Sequence, residues 1–178
     1  MEINTRDFGV ININEDSVYS FPQGVYGFED VDSFAVFMNE EAGVSFVYLQ
    51  AVKSPNPCFL VFSPWDMARG YRPEVSEDDL SLLGVESEKD LIFLTIATVP
   101  PKDVRQLSIN VKSPIVLNPL NMVGRQVILL NEDYPVRYKP FLDVSLSDPA
   151  AEPAAAPLKP PGATPFPKPP RPSSGKGV

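Results

Sequence analysis

The chain has 178 residues, 21 of them proline, with 23 acidic and 15 basic side chains, a formal net charge of −8 and no histidine. Lacking histidine, it is excluded from Ser-His-Asp and Cys-His catalysis, histidine-ligated metal sites and a histidine pH switch, and its one cysteine, Cys58, can make neither an internal disulfide nor a cysteine zinc site. Residues 1–144 carry 21 acids and 11 bases, a net of −10, whereas 145–178 hold ten prolines, a net of +2, and only Leu146, Leu158, Phe166 and Val178 as larger apolar side chains.

The first residues, Met1-Glu2-Ile3-Asn4-Thr5-Arg6-Asp7, lack the basic start and apolar run of an export signal. No uncharged apolar stretch approaches the roughly 18 residues needed to cross a bilayer, so a soluble, cytoplasmic protein without membrane contact is expected. Residues 10–14 alternate apolar and polar through Ile11 and Ile13, which predicts a half-buried strand. Gly24 and Gly27 bracket Val25-Tyr26, a turn signal in preference to a phosphate loop. Asp30 and Asp32 with Glu41 imitate a calcium-loop spacing, but Phe34 and Ala35 occupy the positions of a ligand and of the glycine such a loop requires. The apolar runs at 34–38, 59–62, 91–97, 115–117 and 127–130 are short and rich in β-branched and aromatic residues, and are read as strands buried on both faces. Cys58, between Pro57 and Phe59, fits a small buried hydrophobe better than a nucleophile.

Turn signals stand at Ser54-Pro55-Asn56-Pro57, Ser63-Pro64, Val99-Pro100-Pro101 and Asn118-Pro119. One helix is predicted: Ser76 caps it, Glu77, Asp78 and Asp79 complement its dipole, Leu80 and Leu83 share a face, and Gly84 closes it. Leu107-Ser108-Ile109-Asn110-Val111 shows the best period-two alternation. The expected fold is mainly β, a small antiparallel β-barrel-like domain over 1–144 with one short helix, followed by a disordered Pro/Ala-rich tail over 145–178. Pro-x-x-Pro spacings in the tail, at 157/160, 167/170 and 169/172, fit a solvated tether or a polyproline ligand.

The acidic body disfavours direct nucleic-acid binding, because such affinity comes from Lys and Arg displacing counterions, and it favours a basic protein partner. There is no P-loop, dinucleotide fingerprint or G-x-S-x-G elbow, and no carboxylate pair stands out among 21 acids. The residues therefore point to a non-enzymatic binding module without cofactor or metal. A carboxylate-based hydrolase is the alternative from another class.

Three stretches together resemble the bacterial flagellar assembly factor FliW family. They are Phe21-Pro22-Gln23-Gly24-Val25-Tyr26-Gly27-Phe28-Glu29, followed by Leu49-Gln50; Asn110-Val111-Lys112-Ser113-Pro114-Ile115-Val116-Leu117-Asn118; and Gly124-Arg125-Gln126-Val127-Ile128-Leu129, with Tyr134 shortly after. Departures are Val25-Tyr26, where the family often has Leu-Pro, and Ser113, where it often has alanine. The resemblance implies a small barrel that binds flagellin and antagonises the RNA-binding translational regulator CsrA, relieving repression of flagellin translation. A flagellin-only chaperone is the alternative within that class.

Phe28, Glu29, Gln50, Tyr71, Asn110, Asn118, Arg125, Gln126 and Tyr134 are the candidate partner-binding residues. Each has two readings. The aromatic residues, with Phe21 among them, are hot-spot anchors or core, and the polar ones are partner contacts or satisfy turn and barrel-end backbone groups.

Overall fold

Short apolar runs cannot bury both faces within a single layer, and the chain resolves this by rolling them into a ring and covering the ring from outside. The structure is a computed structural model and describes residues 1–41 and 43–143, so the expected disordered tail lies outside the described residues. Strands β1 (Glu2–Thr5) and β2 (Gly9–Asn12) form an antiparallel hairpin. Then come β3 (Val18–Ser20), β4 (Ser33–Glu41), β5 (Val44–Ala51) and β6 (Cys58–Phe62), the last two joined through a cis Asn56–Pro57 peptide. Two helices follow, α1 (Pro64–Met67) and α2 (Glu77–Leu83). The remaining strands are β7 (Ile92–Thr98), β8 (Ser108–Ile109), β9 (Ile115–Asn118) and β10 (Val123–Gln126).

The larger sheet runs β6-β5-β4-β3-β10-β9-β7-β8, and a further β6–β7 pairing closes seven of these strands into a barrel, with β8 attached to β7 outside the ring. All neighbours are antiparallel except β3 and β10, which are parallel at Ser20 and Val123. Closure pairs the edge groups of every barrel strand along part of its length.

Alternate residues of one strand enter different cores. Phe34 and Val36 of β4, Leu94 of β7, and Ile115 and Leu117 of β9 point into the barrel with Phe21 and Leu49. Ala35 and Phe37 of β4 pack outward against Ile3, Ile11 and Ile13 of the hairpin. Phe93 and Val116 pack outward beneath a second layer that includes Tyr71, Leu83, Val127, Leu129 and Tyr138. These outer layers explain why the runs in β4, β7 and β9 are continuously apolar: both faces of each are covered.

The structure corrects several local expectations. Residues 127–130 are in no strand and are not buried on both faces: Val127 and Leu129 are buried while Ile128 and Leu130 are 55% and 57% exposed. Their backbone pairs outside any strand, with the Val127 and Leu129 N–H groups donating to the Pro114 and Lys112 carbonyls and the Leu130 N–H to the Glu74 carbonyl. The alternation at 107–111 holds, since Leu107, Ile109 and Val111 are all buried, but only Ser108–Ile109 pairs as a strand. Ser63-Pro64 opens α1 instead of a simple turn, with proline in the first helical turn where its missing N–H costs nothing. The predicted helix is α2, with Ser76 accepting from the Asp79 N–H at 3.1 Å and Gly84 left-handed at φ 75°.

Candidate partner-binding face

The three motif stretches meet in space around β10. Loop 21–29 leaves the barrel after β3 and folds back on itself: the Phe28 N–H donates to the Val25 carbonyl at 2.7 Å and the Gly24 N–H to the Phe21 carbonyl at 2.9 Å. Gly24 is required here twice over. Its φ is +63°, and an added Cβ would lie 2.4 Å from the Phe28 carbonyl oxygen. The fold-back leaves Tyr26 and Phe28 54% and 40% exposed, with Phe28 resting edge-on against Phe59 at a centroid distance of 5.5 Å. Glu29 is exposed and accepts the Gly27 N–H at 2.8 Å, which holds its carboxyl below the usual range.

Two residues of β10 anchor this loop. The Gln126 Oε1 accepts the Tyr26 N–H at 3.0 Å and its Nε2 donates to the Ser113 carbonyl at 3.1 Å, so one buried side chain ties the first motif to the second. Arg125 donates from Nε to Asp79 Oδ1 at 2.6 Å and from a terminal nitrogen to Gln23, tying α2 to loop 21–29 through a mostly buried ion pair. Between loop and helix runs a shallow open groove lined by Pro22, Gly24, Leu82, Val123, Gly124 and Arg125. Leu82 is 56% exposed on the outer stripe of α2, one turn after the exposed Asp78.

Four of the nine candidate residues present no side-chain surface to a partner. Gln50 is fully buried, its Nε2 donating to the Ala51 and Ser54 carbonyls at 2.9 and 3.1 Å, and its Oε1 has no hydrogen-bond partner among the described residues. Asn118 is buried, donating to the Leu83 carbonyl at 2.8 Å and accepting the Leu120 N–H at 2.9 Å, which fixes the end of α2 against the β9–β10 turn. Gln126 is buried as described. Tyr71 is buried too, with its hydroxyl donating to the Val111 carbonyl at 3.1 Å, and burial pushes its titration well above the ordinary tyrosine value. For these four the geometry supports the second reading, satisfaction of backbone and core.

Tyr134 is half-buried and stacks on Tyr71 at 5.1 Å, while its hydroxyl accepts the Arg72 N–H at 2.6 Å. Asn110 is half-buried and accepts the Ser113 N–H at 2.8 Å in a turn. Arg125 lines the groove, Glu29 has its backbone against Gly24 at that groove, Phe28 rests on Phe59, and Phe21 is core. Tyr26 and Leu82 are the additions the sequence reading lacks: Tyr26 stands inside the first motif as a departure, and Leu82 follows Leu80 on α2 but faces the opposite way.

Burial pushes the Cys58 thiol up to about 11, so it stays protonated near neutrality. Among the described residues no group of three or more Cys, Asp or Glu side chains could hold a metal, and no helix is long and apolar enough to cross a membrane.

The model of the FliW protein family matches residues 2–140. The chain is 34% identical over 143 residues to the flagellar assembly factor FliW of Caldanaerobacter subterraneus subsp. tengcongensis, covering 80% of this chain and 94% of that protein. It is 35% identical over 141 residues to that of Leptospira interrogans serogroup Icterohaemorrhagiae serovar copenhageni, covering 79% and 93%. A crystal structure of the flagellar assembly factor FliW superposes with a TM-score of 0.71 at 28% identity, covering 80% of this chain and 99% of that one.

Proposed function

The chain belongs to the FliW family of flagellar assembly factors, and on that premise we propose that it binds flagellin and antagonises the translational regulator CsrA, relieving repression of flagellin translation in the cytoplasm. The observation that carries this reading is the family match across residues 2–140, nearly the whole described domain. The physical chemistry agrees with it. A body of net −10 meets an RNA-binding, hence basic, protein with favourable long-range attraction and meets RNA itself with repulsion. Exposed Tyr26 and Phe28 supply rigid aromatic area, and exposed Glu29 supplies charge, on the loop whose first residues line the groove with Arg125. The protein works as a binding partner and carries out no reaction.

Gel shifts with labelled flagellin leader RNA test the proposal. The protein alone should shift nothing even at low salt, should reverse the shift made by CsrA, and should lose that effect when flagellin is added. A shift by the protein alone contradicts the charge argument. Failure to reverse the CsrA shift, with flagellin still bound, leaves a flagellin chaperone as the function.

A further inference from the structure

We infer that the groove between loop 21–29 and α2 is the docking site of this chain's own C-terminal segment, with Phe166 seated against Leu82 and Val123. The occupant is chosen by chemistry. The groove is apolar along Pro22, Leu82, Val123 and Gly124, and its one cation, Arg125, is already engaged by Asp79 and Gln23. Around it stand the exposed acids Glu77 and Asp78, and Glu29, whose backbone abuts Gly24. It therefore fits an apolar group followed by positive charge. Residues 165–172 read Pro-Phe-Pro-Lys-Pro-Pro-Arg-Pro: the tail's one aromatic ring, then Lys168 and Arg171, and no acid. Nowhere else in the tail does an aromatic side chain sit beside two bases.

Reach does not forbid it. The last described residue is Asp143, and 22 residues separate it from Phe166. At about 3.1 Å per residue in a proline-rich segment they span about 70 Å, whereas half the circumference of a domain this size is about 60 Å. Tethering also raises the local concentration of the segment to the millimolar range, so about millimolar intrinsic affinity suffices to fill the groove. A few screened charge pairs and one buried ring supply an interaction of that order. The family match ends at residue 140, so the segment lies outside what the relatives share and adds a device to the common domain.

The test uses the full chain with the photoreactive amino acid benzoylphenylalanine in place of Phe166. Irradiation should give a within-chain cross-link to peptides 77–84 or 120–126, at a yield unchanged over about fifty-fold dilution, as a tethered contact requires. Lys168→Ser with Arg171→Ser, or Leu82→Ser at its exposed position, should each cut that yield at least about fivefold, as should high salt for the cross-linker chain without these changes. Cross-links to other peptides, cross-links between two copies that fade on dilution, or no cross-link at all overturn the proposal. None of these readouts depends on flagellin or CsrA.

Discussion

Loop 21–29 and the segment at 71–75 both carry aromatic residues, both leave the barrel wall and both are fastened by a side chain from far along the sequence. They differ in where the rings go. Tyr71 is sealed between Trp65 and Tyr134, at centroid distances of 5.8 and 5.1 Å, and its segment is pinned by Asn131, which accepts the Glu74 N–H at 2.8 Å. In loop 21–29 the fastening comes from Gln126 and Arg125 while Tyr26 and Phe28 stay at the surface. An aromatic residue among the candidates is thus no guide to contact by its type alone. The informative feature is polar side chains holding a loop so that its apolar groups face outward, an arrangement that costs burial and is useful only if something else covers them.

Substitutions break this contrast in proportion to burial. Tyr71→Ala should cost about 3–5 kcal/mol of stability, read from the urea midpoint, because it empties a site packed on three sides. Gly24→Ala should cost about 3 kcal/mol by the same measurement, since a Cβ meets the Phe28 carbonyl oxygen and the left-handed backbone is strained for alanine. A Cβ effect well under 1 kcal/mol would mean that the fold-back relaxes easily.

Separating the ion pair is milder. A double-mutant cycle on Asp79→Asn and Arg125→Gln should give a coupling of about 1–2 kcal/mol, between the values for exposed and buried pairs, as both side chains are mostly but not wholly covered. Alkali probes the buried tyrosines together with Cys58, whose thiol burial also pushes up. Tyr71 and Tyr134 titrate above their ordinary value because burial disfavours the phenolate. Their native-state preference for the neutral form is intact below the unfolded value of about 10 and is lost as pH rises above it, at up to about 1.4 kcal/mol per unit for Tyr71. Stability should therefore begin to fall near pH 9 through Cys58 and more steeply from about pH 10 through the buried tyrosines, and Tyr71→Phe should flatten the part above pH 10. At the small end, Phe28→Ala should change stability by less than about 1 kcal/mol, because its ring is part-exposed and touches the fold edge-on at Phe59.

How much of this was legible depends on whether the signal is local. Strands β4, β7 and β9 contain unbroken apolar runs, and α2 carries its own cap, charges and glycine. Strands β3 and β10, Val-Tyr-Ser and Val-Gly-Arg-Gln, have no such pattern; they become strands because β4 and β9 offer them partners. Barrel closure through β6–β7 and β3–β10 joins segments more than thirty residues apart, beyond any periodicity. At the candidate site, Phe28, Glu29 and Arg125 could be picked from the motif. Gln50 and Asn118 could not be sorted, since a polar side chain that holds a turn and one that meets a partner are the same letter until burial is known. Leu82 was hidden by the stronger signal of Leu80 and Leu83, which define the buried face of the same helix.

The central claim is that loop 21–29 is a recognition surface and the Tyr71 cluster is its scaffold. Flagellin affinity measured by titration calorimetry on Phe28→Ala and Tyr71→Phe, each first shown to be folded, tests it most directly. Phe28→Ala should weaken binding by about tenfold or more with its unfolding midpoint near wild type, and Tyr71→Phe should bind like wild type. Unchanged affinity in Phe28→Ala, or a loss confined to Tyr71→Phe, would contradict the assignment of the two regions.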